Sequence, residues 1–463
     1  MRLLKTKRAA LIATSFLCVA GAACAQLTPT PQAEASDVSQ SPLWKQAVEP
    51  QYFLPAGVEA VTQGGKGGKI IKVTSLDNEG PGTLRAALEA KGPRIVVFEV
   101  AGVIDLDRKS IGITDPYLTI AGQTAPSPGV TLIEGGLVVA THDVIIQHIR
   151  IRPGDGLTTD KWDADAISTR SASNVIVDHC SLTWATDENM SASGPRFTGA
   201  TPDEWRDGAS HDLLYSHNLA AEGLANSTHP KFEHSKGSLI HDNTSNITLF
   251  GNVYAHNMER SPLFKGGVRG AIVNNLIYNP GQRAIHYNLQ GLEWGDAEFQ
   301  TGKMDIIGNV MRGGPSTNDN LPMVLVGGDG PVELFLNDNI SVDKFGAPLP
   351  EVGRYTMGTA EIVSVESAAQ DLNGLEPMSS KLVERYVLAS AGARPWDRDK
   401  HDVRVMADVA EGRGKIIDSQ EEVGGYPVVE PVKRKFDPDL WNLDTMTPKT
   451  TAALDDGSAS KGT

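Results

Sequence analysis

Short apolar runs, separated by glycine, proline and polar residues, recur along most of this chain. The runs are rich in Val, Ile, Leu and Tyr, and the sequence contains 47 glycines and 27 prolines. Helix breakers at this density favour short strands over long helices. The body of the protein is therefore predicted to be all-β.

One pattern repeats within these runs. It consists of an apolar pair, one or two polar residues, a position that is often Asn, and then further apolar residues. That position is occupied in turn, at steps of 23 to 38 residues, by Ile149, Cys180, Asn218, Asn252, Asn275, Asn309 and Asn339. An irregular period of this size, without helices between the strands, is typical of a parallel β-helix, in which stacked coils bury a common core. The column predicts a ladder of buried, mutually hydrogen-bonded Asn side chains, with Cys180 as a core residue rather than a nucleophile.

A solenoid needs caps at its ends. Residues 82–90 predict a short amphipathic helix at the N-terminal end of the coils. We assign the β-helix domain to residues 46–350. Residues 351–446 form a C-terminal extension with predicted helices at 379–389 and 402–411, which packs against the solenoid or caps it.

The first 25 residues have the pattern of a secretory signal peptide. A basic start is followed by an apolar run from Ala9 to Ala23 and by an Ala-Cys-Ala site ending at Ala25. The alternative is a lipoprotein acylated at Cys24, and both alternatives predict a secreted or periplasmic protein. Residues 26–45 are read as a flexible leader and 447–463 as a disordered polar tail.

Composition narrows the class of function. The formal net charge of −15 becomes −19 when the four basic residues of the leader are removed, so a nucleic-acid-binding role is not expected. No later apolar run is long enough to span a membrane. Cys180 is the single cysteine after the leader, so the mature chain is predicted to fold without internal disulfides.

Two acidic pairs are the strongest candidates for chemistry. Asp163 and Asp165 stand at i and i+2, which would place both carboxylates on one face of a strand. Asp187 and Glu188 follow about one coil later, so stacking should bring the pairs together. Oxygen ligands of this kind suit Ca²⁺, and the alternative is a solvated acidic turn.

Four basic residues follow in the next coils: Lys236, Arg260, Lys265 and Arg269. In an acidic protein, this cluster beside a metal site predicts binding of an anionic ligand. Taken singly, each is more often a surface charge or part of a structural ion pair.

Motifs spread over residues 64–427 give a family resemblance. They include VTSLD (73–77), GPGTLR (80–85), YLTIAGQTAP (117–126), VIVDHCSL (175–182), RSPL (260–263), IIDSQ (416–420) and GGYP (424–427). Jointly they resemble the bacterial pectate lyases of polysaccharide lyase family 1, which are right-handed parallel β-helix enzymes. The resemblance implies a secreted, Ca²⁺-dependent lyase that acts on polygalacturonate, an acidic polysaccharide, by β-elimination. We expect a monomer.

The resemblance also implies roles for single residues. Asp163, Asp165 and Asp187 match calcium ligands, and Glu188 is a substitute for a carboxylate that the family often has where this chain has Ser191. Arg260 matches the catalytic base.

Lys236 and Lys265 match substrate-binding residues. Because arginine is a very weak acid, hydroxide acting beside an orienting Arg260 is an alternative base. A lyase for another uronan, and a non-catalytic polysaccharide-binding β-helix, remain alternatives. The cleavage mode is expected to depend on loops 193–207 and 289–302.

Overall fold

The computed structural model describes residues 48–54, 58, 61–356 and 358–454. The predicted signal peptide, the leader up to residue 45, and residues 455–463 of the predicted tail lie outside these ranges. No helix in the described ranges is long and apolar enough to cross a membrane.

Three long sheets carry nearly all strands of the described chain, and consecutive strands pass from one sheet to the next. The eleven-stranded sheet contains β1 (Lys69–Val73), β2 (Arg94–Phe98), β5 (Leu118–Ala121), β8 (His142–Gln147), β11 (Ser173–Asp178), β14 (His211–Ser216), β17 (Ser245–Phe250), β20 (Arg269–Val273), β23 (Gly302–Ile307), β26 (Val332–Asn337) and β29 (Ile362–Ser364). The ten-stranded sheet contains β3 (Val100–Asp105), β6 (Val130–Ile133), β9 (Arg150–Arg152), β12 (Ser181–Thr183), β15 (Leu219–Ala221), β18 (Val253–Ala255), β21 (Leu276–Tyr278), β24 (Val310–Arg312), β27 (Ile340–Val342) and β30 (Val432–Lys433). The nine-stranded sheet contains β4 (Ile111–Ile113), β7 (Leu137–Val139), β10 (Ile167–Arg170), β13 (Glu188–Ser193), β16 (Lys236–Ile240), β19 (Leu263–Lys265), β22 (Ile285–Leu289), β25 (Val324–Gly328) and β28 (Val352–Arg354).

These sheets form a parallel β-helix, as the repeat predicts. Each complete coil gives one strand to each sheet, and strands of neighbouring coils pair in parallel, for example β11 with β14 and β13 with β16. Val, Ile and Leu side chains from all three sheets fill one continuous core. Since no coil could bury its apolar face alone, stacking provides the stability.

The predicted Asn column forms a hydrogen-bonded ladder. The side-chain oxygen of each Asn accepts the backbone N–H of the preceding column residue: Asn218 from Cys180 (2.8 Å), Asn252 from Asn218 (2.9 Å), and so on through Asn275 and Asn309 to Asn339. The Asn218, Asn252, Asn275 and Asn309 side chains are fully buried, so these bonds satisfy groups that would otherwise be costly to bury. Cys180 is also buried, as predicted for a core residue.

The helices of the described residues are α1 (Leu84–Glu89), α2 (Pro202–Gly208), α3 (Gly291–Trp294), α4 (Ser380–Ser390) and α5 (Lys400–Glu411), with 3₁₀ turns at Gly122–Thr124, Gln420–Val423, Pro438–Leu440 and Thr451–Ala453. Three helices, α1, α4 and α5, lie near the predicted positions, whereas α2 and α3 lie in segments predicted to be loops. Thr83 caps α1, which packs on β1 and β4 at the N-terminal end of the coils. This position fits the predicted helical cap.

The C-terminal extension packs against the side of the solenoid. Helix α4 lies on β21 and β24, and β30 pairs antiparallel with β3 near the start of the coils. The buried guanidinium of Arg152 contacts Asp399 (2.6 Å) and Asp402 (2.8 Å), which joins the extension to β9. The extension therefore runs back along the coils.

Two boundaries differ from the sequence-based assignment. Strands β28 and β29 still belong to the solenoid, so the coils continue beyond residue 350 to Ser364. These strands are short and half-exposed, which removes the apolar signal from their sequence. The start of the predicted tail is folded, because β32 (Thr447–Pro448) pairs with β31 (Trp441–Asn442) and Ala453 is buried.

Candidate active site

The predicted site residues lie on the nine-stranded sheet or on the loops that lead into its strands. Asp163 and Asp165 precede β10, Asp187 and Glu188 stand at the start of β13, and Lys236 begins β16; Arg260 precedes β19 and Lys265 ends it. Adjacent coils in such a stack lie about 4.8 Å apart. Residues far apart in the sequence therefore share one surface.

A carboxylate cluster forms where two of these loops meet. Oxygens of Asp165, Asp187 and Glu188 all lie within 4.8 Å of one another. Asp165 accepts hydrogen bonds from the Glu188 backbone N–H (3.0 Å) and from the Ser191 hydroxyl (2.7 Å). Ser191 thus holds a calcium-ligand candidate in place instead of supplying a carboxylate itself.

Crowding and burial change the ionisation of this cluster. Burial raises the pKa of Asp165 to about 6, and the negative charge of Asp187 acts in the same direction. Burial also raises the pKa of Glu188 well above its usual value, against the opposing effect of Arg260. Three neighbouring carboxylates repel one another unless a cation joins them, so this donor set fits a hard divalent metal.

Asp163 lies outside this cluster. It is exposed, in a loop before β10, whereas Asp165 is partly buried. The prediction that Asp163 and Asp165 share a strand face is therefore wrong, because regular strand geometry begins only at Ile167. The charge of Asp163 acts on His229.

Two histidines that the sequence analysis did not identify contact Asp187. The Nε2 atom of His234 lies 2.7 Å and that of His229 3.6 Å from Asp187 Oδ1, and the two rings stack with their centroids 3.6 Å apart. Burial would raise the pKa of Asp187, but the His234 hydrogen bond and the nearby histidines lower it to about 2. Asp187 is therefore the member of the cluster most readily ionised.

The Asp187–His229–His234 group does not have the hydrogen-bonding pattern of a metal site. His229 Nδ1 accepts the backbone N–H of Lys231 (3.0 Å), so the proton of neutral His229 is on Nε2 and faces Asp187. A metal ligand would need a free lone pair on that nitrogen. We interpret both histidines as supports for the carboxylate.

The basic side of the site begins with Lys236. This residue is buried, and its ammonium pairs with Glu259, which also pairs with Arg283. Burial lowers the pKa of Lys236 to about 7, and the positive charges of Arg260 and Arg283 act in the same direction. Glu259 and Arg283 could not be identified from the sequence, because only the stacking of coils brings them to Lys236.

Arg260 lies between the two halves of the site. Its guanidinium pairs with Glu188, and its backbone adopts the left-handed conformation (φ 63°). Many other non-glycine residues of this chain, such as His179 and His217, have the same conformation, so the ion pair and not the backbone distinguishes Arg260. The carboxylate cluster and the predicted base are therefore in direct contact.

Lys265 lies further along the same surface. Its ammonium pairs with Glu293 and lies 3.6 Å from Asp242. Arg269, the fourth basic candidate, begins β20 in a different sheet. The structure thus places Lys265, but not Arg269, on the nine-stranded sheet with the other candidates.

One open groove, with a volume of about 490 Å³, connects the carboxylates with the cations. Its lining includes Asp187, Glu188, Glu259, Arg260, Lys265, Arg283, Asn288, Glu293 and Tyr355. Asp165 and Lys236 contact lining residues, and Ser191 donates a hydrogen bond to Asp165. The groove can hold an elongated, negatively charged ligand over several coils.

Comparison with known proteins agrees with this architecture. The chain is 30% identical over 374 residues to a probable pectate lyase C of Neosartorya fischeri, covering 80% of this chain and 79% of the relative. It is 29% identical to a probable pectate lyase C of Aspergillus fumigatus, covering 82% and 83%. Both relatives are fungal, so they do not support the bacterial branch suggested by the motifs. No family model matches the chain.

A solved structure supports the fold. The crystal structure of the major allergen from cedar pollen superposes with a TM-score of 0.51 at 17% identity, covering 73% of this chain and 92% of the allergen chain. At that identity, the likeness concerns the fold alone.

Proposed function

This chain belongs to the pectate lyase family, and on that premise we propose that it is an exported polysaccharide lyase that cleaves polygalacturonate by calcium-dependent β-elimination. The observation that carries the proposal is the groove, in which Asp187 and Glu188 of the carboxylate cluster share one lining with Arg260 and Lys265. The expected products are 4,5-unsaturated oligogalacturonides.

Asp165, Asp187 and Glu188 are the residues that we propose to hold Ca²⁺. Their oxygens are hard ligands that converge within 4.8 Å, and burial makes their mutual repulsion costly without a cation. Bound there, Ca²⁺ would neutralise the carboxylates and stabilise negative charge on a substrate carboxylate. Asp163, exposed on the loop before β10 and close enough to act electrostatically on His229, is proposed as a further ligand.

β-Elimination places clear demands on the protein groups. A base removes the proton at C5, the electron pair forms the C4–C5 double bond, and the C4–O bond breaks with its electrons on the leaving oxygen. Negative charge develops on the uronate carboxylate as the C5 proton leaves, so cations near that carboxylate lower the barrier. Lys265 lines the groove and can bind such a carboxylate directly.

Arg260 is the proposed base, or the group that orients hydroxide. It is the cation in contact with the carboxylate cluster, so a substrate held there would present its C5 proton to it. Lys236 is buried behind Glu259, so its proposed contact with substrate requires that ion pair to open. In the closed arrangement, Lys236 mainly adds positive charge next to Arg260.

Mass spectrometry of the reaction products tests the proposed reaction against its alternatives. The purified protein is incubated separately with polygalacturonate, alginate and other uronans in the presence of Ca²⁺. Oligogalacturonides lacking one water support elimination on polygalacturonate, and the same product type from another uronan alone would reassign the substrate. Binding without cleavage of any uronan would favour the non-catalytic alternative.

A further inference from the structure

A second cation, which the sequence analysis did not identify, lies beside Lys265 and pairs with the same carboxylate. Arg196 follows β13, and its Nη2 donates to Glu293 Oε2 at 2.7 Å, while its Nη1 lies 3.3 Å from the Glu293 backbone oxygen. The Lys265 ammonium pairs with the same Glu293 carboxylate oxygen. We call Arg196 and Lys265 the cation pair.

The two carboxylates that face the cation pair differ in how firmly they are held. Asp242 is fully buried; its Oδ1 accepts the Trp294 indole N–H (2.8 Å), and its Oδ2 lies 3.1 Å from Arg196 Nε. Glu293 belongs to the one-turn helix α3, its side chain is 34% exposed, and it lines the groove. Asp242 is therefore a fixed counter-ion, and Glu293 can move away.

The charges of this arrangement balance. Two cations face two carboxylates, and an incoming carboxylate could replace Glu293 without changing the local charge. Glu293 would then turn into solvent, where its charge is hydrated at little cost. A guanidinium beside an ammonium is well suited to binding a carboxylate, because the guanidinium donates directed hydrogen bonds and the ammonium adds a compact positive charge.

We propose that the cation pair is a binding position for a uronate carboxylate of the substrate, and that Glu293 occupies it until the substrate displaces it. This inference rests on the proposed function, because it assumes that a polyuronate enters the groove. It makes Arg196 an additional substrate-binding residue and Glu293 an internal competitor that weakens binding at this position.

The test compares Glu293→Gln with Glu298→Gln in steady-state cleavage of polygalacturonate at low salt. Glu298 is an exposed residue of the same loop, so its substitution removes the same charge without touching the cation pair. Glu293→Gln should lower KM about threefold or more, whereas Glu298→Gln should leave KM near the wild-type value. Arg196→Ala should raise KM about tenfold.

Equal KM values for the Glu293→Gln and Glu298→Gln variants would overturn the inference. If the wild-type protein cleaves no polygalacturonate, the proposed function has failed, and calorimetric binding of trigalacturonate then decides the inference separately. Tighter binding of trigalacturonate by Glu293→Gln than by Glu298→Gln would support it, and equal binding would refute it. Because Glu293 is partly exposed, the Glu293→Gln variant should fold. The inference therefore stays testable even if Arg196→Ala does not fold.

Discussion

At the residue scale, Arg260 connects the two halves of the groove. Its guanidinium contacts Glu188, and the positive charge of Arg260 contributes to the lowered pKa of Lys236. Arg260→Ala should therefore remove both the proposed base and a charge that organises its neighbours. We predict a loss of about 100- to 10,000-fold in kcat on polygalacturonate.

The matched control for Arg260 is Arg170→Ala, since Arg170 is exposed at the end of β10 on the same sheet. Initial rates of both variants are measured with saturating Ca²⁺. Wild-type rates for Arg260→Ala would show that another group is the base. Calorimetric Ca²⁺ titration checks that the variant still has its metal site.

Asp165 illustrates a conflict between stability and metal binding. Its pKa is raised to about 6 by burial and by Asp187, so its favourable protonated form is lost as the pH rises to and above 6. Asp165→Asn should therefore make the Ca²⁺-free protein more stable at pH 8, by about 1–3 kcal/mol. The Ser191 hydroxyl can donate to or accept from the new amide.

Thermal unfolding at pH 8, with chelator and with Ca²⁺, measures both effects of Asp165→Asn. The variant should unfold at a higher temperature than the wild type in chelator, and it should gain less from added Ca²⁺. A variant that is less stable in chelator, or that is stabilised by Ca²⁺ as strongly as the wild type, would contradict the proposed role of Asp165.

His234 supports Asp187 from outside the carboxylate cluster. Its Nε2–H donates to Asp187 Oδ1 at 2.7 Å, which fixes the carboxylate and keeps it ionised. His234→Ala should weaken Ca²⁺ binding about tenfold, in the range typical of groups that orient metal ligands. His234→Gln keeps a donor and should restore part of the affinity.

Isothermal titration of the substrate-free protein with Ca²⁺ tests His234 independently of turnover. An unchanged dissociation constant in His234→Ala would show that the histidine does not position the ligand. Equal weakening in the Ala and Gln variants would point to a packing role for the ring instead.

At the scale of elements, the Asn ladder connects the coils on which the site stands. The Asn252 amide accepts the Asn218 N–H and donates to the Tyr215 backbone oxygen at 2.9 Å. Asn252→Ala leaves these buried backbone groups without partners. We expect the free energy of unfolding to fall by about 2 kcal/mol or more.

Urea unfolding followed by tryptophan fluorescence measures this loss. The control is Asn337→Ala, because Asn337 is exposed at the end of β26. If the Asn252→Ala and Asn337→Ala variants had the same unfolding midpoint, the ladder would not contribute to stability.

The sequence predicts those elements whose pattern of apolar and Asn positions recurs from coil to coil. The Asn column recurs once a coil, so the β-helix and the ladder could be inferred, and caps and composition located α1, α4 and α5. The outermost strands β28 and β29 lack a clear apolar pattern, because they are short and half-exposed. The predicted end of the β-helix domain at residue 350 therefore lies two strands before its observed end at Ser364.

The site was predictable only in part, because stacking fixes the positions of residues beside strands but not of residues on loops. Asp187 and Glu188 adjoin a strand, so stacking places them reliably near Asp165. Contacts that depend on how far a loop folds back, such as those of His234 with Asp187 and Arg196 with Glu293, have no fixed sequence spacing. The exposed position of Asp163 could not be predicted either, because it also depends on the conformation of a loop.

At the scale of the whole molecule, the chain combines a net charge of −15 with one groove in which Arg260, Lys265 and Arg283 lie among four carboxylates. A polyanion would be repelled by most of the surface and bound in this one region. The returning extension pairs with β3 and contacts Arg152, so it is joined to the first coils of the solenoid. The proposed calcium dependence fits this charge distribution, because carboxylates without a bound cation would repel the substrate as well.

The central claim is tested most directly by the ultraviolet absorbance of unsaturated uronide ends during incubation with polygalacturonate. The absorbance should rise in the presence of Ca²⁺, stay flat after complete chelation, and rise again when Ca²⁺ is restored. A rise of equal rate in fully chelated protein would contradict the calcium site. New reducing ends without any absorbance would contradict elimination itself.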